Sequence, residues 1–94
     1  TRSAAAHKAR SAAENAQHAI RVNAIAPGAV LTERVKALMA AGNDSGPDQA
    51  MIDKHLLGLG EPEMVAPTAL FFACDDSRWI TGQILPVDGG ASMN

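Results

Sequence analysis

Tyrosine is absent from this chain, and the other aromatics are limited to Phe71, Phe72 and Trp79. No phenol is therefore available as a general acid or base. A single cysteine, Cys74, excludes an internal disulfide and a cysteine-based zinc site. In its apolar run it reads as a small buried hydrophobe. No run of Lys or Arg occurs, and eight basic against ten acidic residues leave a net charge of −2. That balance argues against nucleic acid and acidic membrane surfaces as partners. No apolar stretch approaches the roughly 20 residues of a membrane span. No secretory signal opens the chain, which does not begin with Met. Together these absences read as a cytoplasmic chain cut from a longer one.

What is present suits one small globular unit: 94 residues, 47% apolar and 19% charged. A chain this short buries only about 60–65% of the surface its unfolded form exposes, so its stability alone is marginal. Residues 2–17 are rich in Ala, the best helix former, and predict a helix whose small side chains let another helix approach closely. Residues 20–25 alternate, with Ile20, Val22 and Ala24 on one face, and end at Pro27-Gly28; a short strand followed by a turn is expected. Asn23 within it reads as an internally satisfied amide. Thr32 can cap a helix over 33–41, with Glu33 favourably placed in its first turn. Residues 43–47 read as a loop and 48–57 as a second helix that stops at Gly58 and Gly60. Leu38, Met39, Met51, Ile52, Leu56 and Leu57 give this helical pair an adaptable apolar face.

Pro62 reads as the first residue of a further helix, with Val65, Ala69, Phe72 and Ala73 on one face. Pro67 inside it predicts a kink or a restart. Asp75 and Asp76 read as terminal turn residues rather than a catalytic pair. A second strand over 83–88 closes at Gly89-Gly90, and Pro86 places it at a sheet edge. Strand, helices and strand make the parallel crossover of α/β folds, although two strands do not form a stable open sheet alone. His7, His18 and His55 show no metal-ligand spacing and read as structural residues on helix surfaces.

Three segments in this order resemble one family. They are Ile20-Arg-Val-Asn-Ala-Ile-Ala-Pro-Gly28 with Val30 and Thr32; Gly60-Glu-Pro-Glu-Met-Val-Ala66 with Ala69-Leu-Phe-Phe-Ala73 and Asp75-Asp-Ser77; and Ile80-Thr-Gly-Gln-Ile-Leu-Pro-Val-Asp-Gly-Gly90. They are similar to the C-terminal part of the classical short-chain dehydrogenases/reductases. The resemblance implies a Rossmann-type three-layer (αβα) doubly wound parallel sheet, of which this chain holds the last two strands and flanking helices. Residues 1–19 would be a helix, and 20–32 a strand with a Pro-Gly cofactor loop. Residues 33–60 would be substrate-lid helices, and 61–94 the last helix, last strand and C-terminal turn.

The resemblance further implies an NAD(P)-dependent oxidoreductase interconverting an alcohol and a carbonyl, with NAD or NADP as cofactor. Ligands of this fold sit beyond the carboxyl ends of the strands, where Pro27 to Thr32 lie. Val30 would offer its backbone N–H and C=O to the nicotinamide carboxamide, and Thr32 would bond the carboxamide or pyrophosphate. Pro27 and Gly28 would shape the floor beneath the ring. The same residues also fit a plain strand-to-helix turn with an N-cap. The partners implied are a small-molecule alcohol or ketone and further copies of the chain, in a dimer or tetramer.

The chain departs from the family pattern at its chemistry. The Gly-rich dinucleotide fingerprint is missing, and the family's Tyr, four residues before a Lys, has no counterpart. Lys8 has Ala4 in that place, and Ser3 and Ser11 lack partners that would make them catalytic. No catalytic residue is therefore assigned, and the 94 residues alone are expected to be inactive. Leu57-Gly58 stands where the family often has Gly-Arg. The alternative reading is a non-catalytic relative that acts as a binding or assembly piece with an intact dehydrogenase.

Overall fold

The computed structural model describes residues 4–42 and 46–93; the expectations for residues 1–3, 43–45 and 94 lie outside the described residues. Helix α1, Ala4–Asn15, continues as a 3-10 turn over Ala16–His18. It stops where Ala19 turns left-handed at φ 59°, with its N–H donating to the Ala16 carbonyl. A side chain in that conformation costs about 1–2 kcal/mol. The small face of α1 meets a turn rather than another helix. Ala12 is buried, its Cβ 3.6 Å from where a side chain on Gly82 would begin, and Lys8 Nζ donates to the Gly82 carbonyl.

Strand β1 spans Ala24–Pro27, not 20–25. The reason lies in Asn23. Its Nδ2 donates to the Ile80 carbonyl (3.0 Å) and its Oδ1 accepts from Gln83 N–H (3.1 Å). The side chain thus occupies the bonds a ladder would make, and regular pairing starts at Ala24 N–H donating to Gln83 C=O. Asn23 is a satisfied amide, as expected. Beyond β1, helix α2 spans Glu33–Ala40 and helix α3 spans Gln49–Lys54. Thr32 and Asp48 cap them, accepting from Val35 N–H (3.2 Å) and Met51 N–H (2.8 Å). Helix α3 ends earlier than expected because His55 leaves helical geometry at ψ 97°.

Helix α4, Pro62–Ala73, begins with its proline and runs through Pro67 without the predicted restart. The bond Pro67 forgoes belongs to the Glu63 carbonyl one turn back, and both residues are exposed, so water can serve that carbonyl. The last turn of α4 is capped from a distance. Arg21 Nη2 donates to the Phe72 carbonyl (2.9 Å) and more weakly to Cys74 (3.4 Å), and Nη1 donates to Ile80 (3.2 Å). A cation at a helix C-terminus is favoured by the helix dipole. Cys74 is only half-buried, contrary to expectation, because it is the C-cap of α4. Asp75–Ser77 form the expected terminal turn.

Strand β2, Ile84–Val87, pairs with β1 in parallel, Ala24 opposite Ile84 and Pro27 opposite Val87. Since Ala24 and Gly28 donate to Gln83 and Val87, the odd residues of β2 carry the ladder. Pro86 turns its donorless nitrogen outward, as an edge strand permits. The other edge of β1, at Ile25, is open. Among the described residues no helix is long and apolar enough to cross a membrane.

The layers enclose little. Among the described residues Ala12 is the only buried apolar side chain, while Leu57 is 87% and Leu70 70% exposed. An open trough lies between α4 and β1, lined by Asn23, Ile25, Ala69, Phe72 and Ala73. The exposed area is 6762 Å², against about 5,100 Å² for a compact monomer of this mass. The radius of gyration, 16.0 Å, compares with about 12.4 Å for a compact domain of this length.

Candidate functional site

Beyond the carboxyl end of β1 the chain crosses a short loop, residues 28–32, before α2. The back of this loop is pinned. Gly28 N–H donates to Val87 C=O (3.1 Å), Gly60 N–H to Ala29 C=O (3.0 Å), and Leu31 N–H to Gly60 C=O (2.9 Å). Ala29 N–H donates to His55 Nε2 (3.0 Å). No peptide here is cis, so the Ala29–Val30 plane that aims its carbonyl at Gly60 aims Val30 N–H the opposite way. Among the described residues nothing accepts from that N–H. The Val30 carbonyl takes Thr32 N–H (3.0 Å).

Behind the loop is a cleft of about 300 Å³, whose lining includes Gly28, Val30, His55, Leu57, Met64 and Asp88. It is at the small end of ligand pockets, roughly 300–1,000 Å³. Gly28 is required there. A Cβ on it would stand 2.8 Å from Asp88 Cβ, 2.8 Å from His55 Nε2 and 2.9 Å from Asp88 Cα. The close neighbours of this glycine are the chain's own Asp88 and His55. Of the four predicted residues, Gly28 and Val30 line the cleft. Pro27 ends β1, and Thr32 sits exposed at the N-cap of α2.

Two charged groups hold the frame. Lys36 Nζ pairs with Glu61 (3.1 Å), joining α2 to the start of α4. The hydrogen bond to Glu61, then its charge, raises the Lys36 pKa above 10.5. Asp88 accepts Gly90 N–H (3.1 Å) and Ser92 N–H (2.9 Å). Hydrogen bonds from Ser92, side chain first, hold its carboxyl below 3.8. The following turn uses left-handed backbone at Gly89 and Gly90, φ 60° and 93°, and Gly89 C=O accepts Leu57 N–H (2.9 Å).

Sequence reasoning missed His55 and Asp88. His55, expected on a helix surface, is 8% exposed. It is drawn inward because both ring nitrogens find backbone partners, Ala29 N–H and the Met51 carbonyl (2.8 Å). A histidine between a helix and a glycine-rich turn is a recognisable C-cap signal. Asp88 before Gly89-Gly90 is likewise an Asx-turn signal.

Residues 2–92 match the family described as enoyl-(acyl carrier protein) reductase. The chain is 46% identical over 71 residues to 3-oxoacyl-(acyl-carrier-protein) reductase of Chlamydia trachomatis, covering 76% of this chain and 27% of that one. It is 37% identical over 92 residues to 7alpha-hydroxysteroid dehydrogenase of Escherichia coli, covering 96% of this chain and 34% of the relative. Among solved structures, ElxO with NADP bound superposes with a TM-score of 0.82 at 31% identity, over 96% of this chain and 36% of ElxO. The chain therefore spans between about a quarter and two-fifths of the length of these relatives.

Proposed function

The chain belongs to the short-chain dehydrogenase/reductase family, with its Rossmann fold, and from that premise we propose that it forms the nicotinamide side of an NAD(P)-dependent oxidoreductase interconverting an alcohol and a carbonyl. The observation that carries this is the loop of residues 28–32: pinned behind, it presents in front the Val30 N–H, which has no acceptor among the described residues, beyond the carboxyl end of a parallel strand. Such a backbone donor at that place fits a carboxamide oxygen. Thr32 keeps its hydroxyl proton free to donate while its oxygen caps α2. Gly28 and Pro27 form the floor. The nicotinamide, when bound, supplies the hydride chemistry.

The chain's own residues bind and orient. The tyrosine that the family resemblance implies as proton donor and acceptor has no counterpart among them. Catalysis then requires residues other than these 94. The exposed Leu56, Leu57, Met51 and Met64 support a partly apolar substrate, and the related ketoacyl and hydroxysteroid enzymes fit that class. The test is a titration of the ¹⁵N-labelled full-length protein that carries these residues with NADH and with NADPH. Amide shifts centred on residues 28–32 are expected; shifts confined elsewhere, or none, refute the assignment.

A second reading is an assembly piece, favoured by the open edge of β1 and the roughly 1,600 Å² of area beyond that of a compact monomer. That excess on one chain is about twice the roughly 800 Å² that each partner contributes to a standard protein–protein interface. It predicts association with an intact dehydrogenase of the family in sedimentation velocity. A well-folded monomer that ignores such a partner refutes it.

A further inference from the structure

His55 is the buried polar side chain that touches the loop. It stands at the C-cap of α3, 26 positions along the chain from Ala29, and lines the cleft behind residues 28–30. Its Nδ1 lies 2.8 Å from the Met51 carbonyl, which can only accept, so Nδ1 carries the proton. Its Nε2 lies 3.0 Å from Ala29 N, which can only donate, so Nε2 is the bare acceptor. The two backbone partners thereby select one neutral tautomer. The ring also leaves no room for a side chain at Gly28, whose Cβ would fall 2.8 Å from Nε2.

We propose that His55 is a positioning residue for the cofactor: by fixing the Gly28–Ala29 peptide from behind, it restrains Ala29, and through it the following peptide that aims the Val30 N–H forward. The inference rests on the reading of the 28–32 loop as the nicotinamide contact. Ala29 is held on one side by His55 and on the other by Gly60. The first bond holds the Gly28–Ala29 peptide and the second the Ala29–Val30 peptide, so the planes on both sides of the Ala29 Cα are fixed. Without His55 the Gly28–Ala29 plane is released, and the Val30 donor is directed by the Gly60 bond alone, about which its plane can rock. The same ring ties the loop to α3, so the end of the second lid helix and the nicotinamide contact move together.

The test uses the full-length protein that carries these residues with His55→Leu, which removes the acceptor, and His55→Gln, which can restore one near the Nε2 position. Three quantities are read: the imidazole ¹⁵N shifts, amide exchange at Ala29, and the response of the Val30 amide to NADH and NADPH. The unaltered chain is expected to show a protonated Nδ1 and a bare Nε2; the opposite tautomer overturns the proposal without any variant. His55→Leu is expected to speed exchange at Ala29 roughly tenfold and to weaken the Val30 response roughly fivefold. His55→Gln is expected to recover most of both. If Val30 of the unaltered chain ignores both dinucleotides, the cofactor reading fails and this proposal with it. If Val30 responds in the unaltered chain and equally in His55→Leu, the proposal alone fails. Should His55→Leu unfold, the glutamine variant decides: failure to protect Ala29 overturns the proposal, and protection with a retained Val30 response supports it.

Discussion

Replacing Gly28 with alanine would put a methyl group where three atoms already stand, 2.8–2.9 Å away. Two of them, Asp88 Cα and Cβ, belong to or sit on backbone at the end of β2 and cannot swing aside. Reaching ordinary contact requires the ends of β1 and β2 to part by nearly 1 Å, at the cost of overpacking strain of about 1–3 kcal/mol. The same movement lengthens the bonds from Gly28 N–H to Val87 and from Ala29 N–H to His55, which adds about 1 kcal/mol. The expected loss is about 2–4 kcal/mol, a large share of what a chain of this length has, about 5–14 kcal/mol.

Two other glycines calibrate the steric argument. At Gly58, φ is +82° with nothing within 4 Å, so alanine there meets only backbone strain, about 1–2 kcal/mol. At Gly60 a Cβ would meet its nearest atoms at 3.7 Å with no left-handed backbone, and alanine should stay within about 0.5 kcal/mol. Urea unfolding of the three variants, followed by far-ultraviolet circular dichroism, gives the comparison. Trp79 is 98% exposed, so its fluorescence would report little. A Gly28→Ala variant within about 0.5 kcal/mol of the unaltered chain, or a Gly60→Ala variant as damaged as it, refutes the reasoning.

Arg21→Leu should cost about 1.5–3 kcal/mol by uncapping α4 and should raise amide exchange along the last turn of the helix. Arg21→Lys should recover only part, since a single ammonium does not match three spread carbonyls. Ala19→Gly should stabilise by about 1 kcal/mol in the same unfolding assay, because glycine occupies φ 59° without strain. The Asp88 pKa is lowered on folding, so its contribution is present above 3.8 and lost as pH falls through the folded value. Acid titration should therefore release the Gly90 and Ser92 amides to exchange, and Asp88→Asn should flatten that dependence.

Short-range features were legible because their causes lie within a few residues. Thr32 caps the turn that Glu33 opens, Pro62 starts its helix, and Gly89-Gly90 turns the chain. The Pro-Gly loop could be placed at the end of a strand for the same reason. The continuity of α4 through Pro67 was not legible, since it depends on whether the Glu63 carbonyl faces water.

The sequence by itself determined the order of elements and the parallel crossover, through local propensity, capping and glycine geometry that act over three or four residues. Only the tertiary structure decided where β1 starts, because Asn23 takes bonds from a segment about 60 positions away. Only it turned Arg21 into the cap of α4 and drew His55 behind Ala29, across 51 and 26 positions. Those partners are chosen by which backbone groups remain unpaired once the strands are side by side, and no local pattern carries that information.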